Sequence, residues 1–193
     1  MLYFYKHMEK LKLYMLLLGC KPAGRHTEQH DIFFSIGRSV KDLVPQIIDF
    51  WPEANGKIHI DGWREITCVD GLQVSVSPVA ASAGKPEAKL FFINLGGYKE
   101  NEFDEFHYRM LVSGSGKDEA VKKAKQTAFY KHTGFKGATS HIDDKYGIDV
   151  DDIYAIEDIL PAKIKANYTI QLSITQHCEE DKLHLGYFKL DKL

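Results

Sequence analysis

Cysteine is scarce in this chain of 193 residues, which contains only three. Cys20, Cys68 and Cys178 are widely and unevenly spaced, and no two of them form a C-x-x-C pair. This pattern fits neither a disulfide framework nor a zinc ribbon. A reducing compartment is the simpler interpretation, and we expect the protein to be cytoplasmic.

An excess of one charge and a long apolar run are also missing. The 25 basic and 27 acidic residues give a net charge of −2, so there is no electrostatic reason to expect a nucleic acid or an anionic membrane as partner. The longest apolar run, residues 13–18, is far shorter than the roughly 20 residues that a membrane helix requires. No small-residue cleavage site typical of a signal peptide follows it. We therefore expect no nucleic-acid partner and no membrane partner.

What the sequence does contain is an internal repeat. Three short motifs occur twice: Leu18-Gly19 and Leu95-Gly96, Glu28-x-His30 and Glu105-x-His107, and His59-Ile60-Asp61 and His141-Ile142-Asp143. The first two pairs share one offset (107 − 30 = 77), whereas the third has a larger one (141 − 59 = 82). We interpret the chain as two homologous copies, of which the second has gained residues before its third strand.

The apolar pattern predicts the same order of elements in both copies. In the first copy, a continuous apolar run at 13–18 indicates a buried central strand, and 28–36 alternates as a half-buried strand does. Residues 39–51 have the spacing of a helix with one apolar stripe. Short strands are predicted at 57–60 and 72–76.

The predicted first helix has both a start signal and an irregularity. Ser39 and Asp42 have the spacing of a capping pair. Pro45 lies too deep for the first turn of a helix that begins at Ser39. The helix is therefore either kinked or regular only from a later residue.

The second copy is predicted to contain strands at 90–95 and 105–112 and a helix at 117–132. Beyond it, two alternating runs at 168–175 and 183–190 predict a terminal β-hairpin. An unpaired strand edge invites pairing, so this hairpin could mediate a homodimer.

Together these elements predict an α+β fold. It consists of two β-β-α-β-β units in tandem, with mixed sheets and helices packed on a face, plus a C-terminal β-hairpin. The predicted boundaries are an N-terminal extension at 1–10, a first unit at 11–80, a linker at 81–88, a second unit at 89–161 and the hairpin at 162–193.

The motifs of the first copy are Leu18-Gly19, Gly24, Glu28-x-His30-Asp31, Trp51 at the end of a helix, and His59-Ile60-Asp61. This set resembles a family of bacterial proteins catalogued as domain of unknown function 1543. The resemblance extends to the second copy, where Tyr108 stands in place of Asp31 and Asn101 in place of Gly24. It implies a bacterial origin and a tandem architecture, and it supplies no catalytic residue, substrate or cofactor.

The polar residues of the repeated motifs form the candidate site: Glu28, His30, His59 and Asp61 in the first copy, and Glu105, His107, His141 and Asp143 in the second. Residues two apart on a strand point the same way, so neighbouring strands could bring two imidazoles and two carboxylates together. Such a set suits zinc, manganese or iron, or a general acid–base pair. A structural set of hydrogen bonds is the competing interpretation.

Three further features are weaker. His26 would extend the strand face to His-x-Glu-x-His if the strand begins early. Cys20 follows the first strand and could be a catalytic thiol, or else a buried and inert cysteine. Residues 113–117, Ser-Gly-Ser-Gly-Lys, have the setting of a phosphate-binding loop but fail its motif, because Leu111 replaces its first glycine and Asp118 its Ser or Thr. They predict a tight turn.

The sequence favours a binding or interaction module that takes a small molecule or a protein and carries no resident cofactor. The alternative is a metal-dependent or acid–base enzyme of the hydrolase type that uses Glu28, His30, His59 and Asp61. The enzyme requires that these four side chains converge on one solvent-accessible point.

Overall fold

A computed structural model describes residues 10–81, 88–98, 103–132 and 149–193, and these form a mixed α+β protein with several antiparallel sheets and few helices. In chain order the elements are β1 (Lys12–Cys20), β2 (Gln29–Gly37), α1 (Val44–Phe50), β3 (His59–Glu65), β4 (Cys68–Val69), β5 (Leu72–Pro78), β6 (Lys89–Tyr98), β7 (Glu105–Gly114), α2 (Lys117–His132), β8 (Asp149–Ala155), α3 (Ile156–Ile159), α4 (Ala162–Asn167), β9 (Tyr168–Ile174) and β10 (His184–Lys189). They fall into two units. The first comprises the chain up to Ala83 and again from Leu160 onward, and the second runs from Gly84 to Ile159.

Strand β1 lies at the centre of the larger sheet of the first unit, whose strand order is β10-β3-β1-β2. Both β2 and β3 pair with it in the antiparallel direction. Within its apolar run Leu13, Leu16 and Leu18 are buried, whereas Met15 and Leu17 are half-buried. The prediction of a central strand is confirmed by this position between β2 and β3.

Helix α1 begins late, which resolves the irregularity that Pro45 introduced. A 3-10 turn, Val40–Leu43, comes first, and Pro45 then lies in the first turn of the regular helix. Backbone N–H groups in the first turn of a helix have no intrahelical acceptor, so proline, which lacks an N–H, costs no hydrogen bond there. The Asp42 carboxylate accepts hydrogen bonds from the backbone N–H groups of Arg38 and Ser39, both at 3.1 Å. The predicted pairing of Ser39 with Asp42 is therefore present.

The predicted C-terminal hairpin is wrong. Strand β9 pairs with β5, in a sheet of order β4-β5-β9, and β10 pairs with β3 at the edge of the larger sheet. Two alternating runs close in sequence indicate two strands but not which strands they join, because pairing depends on contacts far along the chain. The C-terminal segment thus completes both sheets of the first unit.

Cys68 and Cys178 form a disulfide, which corrects the expectation that the cysteines are unpaired. Their Cα atoms are 5.6 Å apart, within the range of disulfide bridges, although 110 residues separate them in sequence. Cys68 lies in β4, and Cys178 lies between β9 and β10. The return of the C-terminal segment to the first unit brings them together.

The second unit contains a sheet of order β7-β6-β8. Helix α2 has the predicted bounds and packs Ala120 and Ala124 against this sheet. Strand β8 (Asp149–Ala155) pairs with β6 in the second unit as β3 pairs with β1 in the first. The motif from His141 to Asp143 lies outside the described residues. Among the helices of the described ranges, none is long and apolar enough to cross a membrane.

Candidate functional site

Gly19, near the end of β1, is the point around which the four first-copy residues meet. It is the register partner of His30 on β2 and of His59 on β3. An ideal Cβ at Gly19 would lie 2.5 Å from His59 Nε2 and 2.6 Å from Asp61 Oδ2, closer than real Cβ contacts. Only glycine leaves room for these side chains, so the repeated Leu-Gly motif has a steric function at this position.

A β-bulge adds Asp61 to the site. Between β1 and β3 the pairing shifts from Leu17 with Gly62 to Leu18 with Ile60, which leaves Asp61 as the extra residue. Bulges often re-aim a side chain near a functional site. Here the Asp61 carboxylate lies beside the imidazole of His59.

The structure brings Glu28, His30, His59 and Asp61 together, and we call them the acid–imidazole cluster. His59 Nε2 lies 2.9 Å from Glu28 Oε1 and 3.2 Å from Asp61 Oδ1. The other carboxylate oxygen, Asp61 Oδ2, lies 3.2 Å from His30 Nε2. Asp61 therefore bridges the two imidazoles. The His59 side chain is 8% exposed and that of His30 is 40% exposed, so the cluster has a buried floor and an open side.

One oxygen of the cluster is left unsatisfied. Asp61 Oδ2 is buried and has no hydrogen-bond partner in the described parts of the chain, although His30 Nε2 is close to it. A buried carboxylate oxygen without a donor is costly, and such atoms are uncommon in folded proteins. With neutral imidazoles the two carboxylates also leave two negative charges. The cluster thus suits a cation or a strong hydrogen-bond donor.

A metal ion would use the same donor atoms. Imidazole nitrogens and carboxylate oxygens bind zinc at about 2.0–2.2 Å. Within the described residues no group of three or more His, Cys, Asp or Glu side chains is arranged to hold a metal ion. The cluster would need to turn its donor atoms toward a common point to bind one.

Tyr187 belongs to the site and was missed by the sequence analysis. Its ring stacks on the His59 imidazole with centroids 4.1 Å apart and an interplanar angle of 29°. Strand β10 pairs Leu185 with Gly62 and then Phe188 with Ile60, so Gly186 and Tyr187 lie opposite the bulged Asp61. Gly186 has a φ of 152°, which favours glycine. A glycine inside an alternating strand was the signal for this irregularity.

The two weaker candidates, His26 and Cys20, are not members of the cluster. His26 is exposed in the loop before β2, which begins only at Gln29, so the strand alternation that would align it with Glu28 does not reach it. Cys20 is buried in the core of the first unit. Burial raises the pKa of the Cys20 thiol, and Glu28 and Glu53 raise it further. This environment favours an inert cysteine over a nucleophile.

The second unit repeats the register around a glycine but not the same residues. Gly96 is paired with His107 on β7 and with Asp149 on β8. Asp149 thus holds the register position that His59 holds opposite Gly19. His141 and Asp143 lie outside the described residues, and Glu105, the first residue of β7, pairs with Tyr98.

The loop before α2 is closed by a carboxylate of the protein itself. Glu119 Oε2 accepts hydrogen bonds from the Ser115 backbone N–H at 2.9 Å and from Ser115 Oγ at 2.8 Å. These bonds, and then Lys123, hold the pKa of Glu119 below its usual value. The loop is a capped turn, as the failed phosphate-loop motif predicted.

The fold and the site describe an α+β protein with a polar cluster at the end of a central strand. Residues 25–76, which include the whole cluster, match a family model described as Domain of Unknown Function (DUF1543). The chain is also similar to the crystal structure of a protein Il1583 from Idiomarina loihiensis, with a TM-score of 0.61, 20% identity, and coverage of 93% of this chain and 98% of that chain. At this identity the similarity concerns the fold alone. No curated protein matches the chain.

Proposed function

We propose that the protein is a non-enzymatic binding module built from two homologous units. Its first unit binds a small molecule through the acid–imidazole cluster, which receives a cationic or hydrogen-bond-donating group of the ligand. The observation that carries this proposal is the buried Asp61 Oδ2, which accepts no hydrogen bond from the described protein residues. A cation bound on the open side of the cluster would offset the charge of this carboxylate and so lower the cost of burying its oxygen.

The two units are proposed as copies because their central strands share one pattern. Each pairs a glycine with a histidine on one side and with the start of a third strand on the other, at Gly19 and at Gly96. In each unit the pairing between the central and the third strand also shifts just before that glycine. The shift lies between Leu17 and Leu18 in the first unit and between Asn94 and Leu95 in the second. A shared irregularity is a stronger sign of homology than shared strand order.

A purely structural role explains less of the geometry. A set of side chains that only holds strands together gains most when each buried acceptor has a donor. Here the Asp61 bulge interrupts two strand pairs, with β1 and with β10, and its carboxylate is still incompletely satisfied. Such an arrangement costs stability, and ligand binding would offset that cost.

The test is a titration of the full chain with methylammonium, with zinc and with manganese chloride. Binding is followed by calorimetry and by the imidazole proton resonances of His30 and His59. Asp61→Asn should weaken the binding of whichever cation is taken by about tenfold or more, because a charge-assisted contact is lost. Glu65→Gln is the matched control, since Glu65 lies on the same strand but pairs with Lys12 at 2.8 Å. If no cation binds, or if both variants weaken binding equally, the proposal is rejected.

A second candidate function is an acid–base enzyme of the hydrolase type that uses the same four residues. It is favoured by the position of Asp61, whose carboxylate lies 3.2 Å from both imidazoles while His30 stays open to solvent. Turnover of a panel of nitrophenyl esters and phosphate esters across pH would test it. Activity should be lost in His30→Gln and kept in His184→Gln, and a panel without turnover removes this candidate.

The disulfide removes the basis of the expected cytoplasmic location. That expectation rested on three unpaired cysteines, and Cys68 is bonded to Cys178. Mass mapping of alkylated cysteines from the native source would decide the compartment's redox state.

A further inference from the structure

Three exposed apolar side chains lie along β10 and the residue before it: Leu183, Leu185 and Tyr187, which we call the apolar ridge. They are 60%, 74% and 65% exposed, respectively. Single exposed apolar residues are ordinary, but a contiguous group usually marks a binding surface. Strand β10 is the edge strand of its sheet in the described part of the chain, so the ridge borders open solvent.

The apolar ridge is continuous with the acid–imidazole cluster. Tyr187 stacks on His59. Leu185 pairs with Gly62, and its Cδ2 atom lies 3.1 Å from an ideal Cβ on Gly62, the residue after Asp61. Trp63, the next residue, packs against the core that contains Ile47 of α1, on the opposite face of the sheet. Gly62 and Leu185 therefore share the face that carries the cluster.

The backbone irregularities place the charged and the apolar group side by side. Opposite the one bulged residue Asp61, β10 carries two extra residues, Gly186 and Tyr187. This irregular pairing places the Tyr187 ring beside His59. Paired bulges that deliver a carboxylate and an aromatic ring to one place are the kind of irregularity found next to binding sites.

We infer that the ligand of the acid–imidazole cluster is an organic cation with an apolar body, such as an arylalkylamine. This inference rests on the proposed function and names its ligand class. The ammonium group binds on the open side of the cluster, where the Glu28 and Asp61 side chains are 44% and 27% exposed. The apolar body lies across the outer face of Tyr187 and along Leu185, where it covers the exposed ridge. The Tyr187 ring also attracts the cation through its face.

Three probes separate the charged from the apolar contribution: methylammonium, 2-phenylethylammonium and the neutral 2-phenylethanol. Each is titrated into the full chain and followed by calorimetry and by the histidine imidazole resonances. We expect 2-phenylethylammonium to bind at least about tenfold more tightly than either of the other two, because only it uses both surfaces.

Variants of the ridge identify the apolar contact. Tyr187→Ala should weaken 2-phenylethylammonium by about fivefold or more and leave methylammonium within about twofold, whereas Tyr187→Phe should keep both. Ile174→Ala is the matched control, because Ile174 is an exposed apolar residue of the other sheet in the same unit. Tyr187→Phe also guards against misfolding, since it keeps the ring that stacks on His59.

The outcomes distinguish the inference from the function on which it rests. Equal affinity for methylammonium and 2-phenylethylammonium would overturn the inference and leave the cation-binding module in place. Failure of every cation to bind would overturn both. Light scattering that shows a dimer dissociated by Leu185→Ser would mean that a second copy covers the apolar ridge, which also overturns the inference.

Discussion

A methyl group added to Gly19 would occupy the same space as two side chains of the acid–imidazole cluster. The clash involves His59 Nε2 and Asp61 Oδ2, at 2.5 and 2.6 Å from the ideal Cβ. The His59 side chain is buried and has little freedom to move away. We therefore expect Gly19→Ala to lower the free energy of unfolding by about 1–3 kcal/mol, as overpacking does. Chemical denaturation of the full chain measures this change.

The control for this substitution is Gly116→Ala. An ideal Cβ at Gly116 meets nothing within 4 Å, and Gly116 is not among the glycines with positive φ. Its replacement should change the free energy of unfolding by less than about 1 kcal/mol. Equal stability of the two variants would show that the space above Gly19 is larger than these distances indicate.

At the scale of single elements, the start of α2 depends on the charge of Glu119. Its folded pKa is lowered, by the backbone and hydroxyl of Ser115 and then by Lys123. Because the pKa of Glu119 is lower in the folded chain, its ionised carboxylate contributes stability above the usual pKa of 4.5, and this contribution is lost as the pH falls through the folded pKa. We expect Glu119→Gln to lower the melting temperature at pH 7 and to have a progressively smaller effect as the pH falls below the usual pKa of a glutamate.

Asp118→Asn is the comparison for this pH dependence. Asp118 lies in the same first turn, so its replacement removes the same charge beside the helix dipole but none of the bonds to Ser115. Melting temperatures of both variants and of the parent chain, measured across this pH range, separate the two effects. An equal loss in both variants at pH 7 would assign the stabilisation to the dipole rather than to the cap.

The connection between β9 and β10 is fastened to β4 by the bond between Cys68 and Cys178. Two hydrogen bonds support it, since Asp181 Oδ1 accepts from the Thr67 backbone N–H at 2.8 Å and from Thr67 Oγ1 at 2.7 Å. A bridge that closes so long a loop restricts the unfolded chain strongly. We expect the Cys68→Ser, Cys178→Ser double variant to lose about 2–4 kcal/mol of unfolding free energy.

A thiol count decides whether this bridge exists. The oxidised chain should show one thiol after denaturation without reductant, because Cys20 is the free cysteine and is buried when folded. The chain with Cys20→Ala should then show none. Three reactive thiols in the air-oxidised parent chain would contradict the bridge and the predicted loss of stability together.

At the scale of the whole molecule, sequence patterns located elements well and their partners poorly. The apolar stripe of α2 and the buried run of β1 are local signals, and both elements formed where they were predicted. The partners of β9 and β10 are strands that lie between 90 and 130 residues earlier in the chain. The Cys68–Cys178 bridge depends on the same long-range pairing. Composition and spacing carry no information about contacts of that kind.

The candidate site shows the same division. The repeated Glu-x-His and His-x-Asp motifs identified four side chains that do meet at Gly19. The bulge at Asp61 and the stacking of Tyr187 on His59 could not be derived, because they depend on register shifts between strands that are distant in sequence. In the second unit the register partner of Gly96 is Asp149, and His141 lies outside the described residues, so the predicted second-copy set stays a prediction.

The return of the C-terminal segment makes the first unit dependent on both ends of the chain. A chain that stops at Pro161 loses β9 and β10, which exposes the edges of β5 and β3. It also loses Phe188, Leu190 and Leu193, which pack against the core of the first unit. The loss of two strands and of three partly buried apolar side chains is large against the roughly 5–15 kcal/mol by which domains are stable. We expect the first unit of this shortened chain to be unfolded.

Tryptophan fluorescence reports this unit alone, because the two tryptophans, Trp51 and Trp63, both lie in it. The emission of the shortened chain should shift to that of solvent-exposed tryptophan, since Trp63 loses His184, whose ring stacks on it at 3.8 Å. Full-length His184→Ala removes the same ring but keeps both strands, so its emission should change far less. Matching emission from the shortened chain and His184→Ala would mean that β1, β2 and β3 hold the first unit together without the strands that complete their sheet.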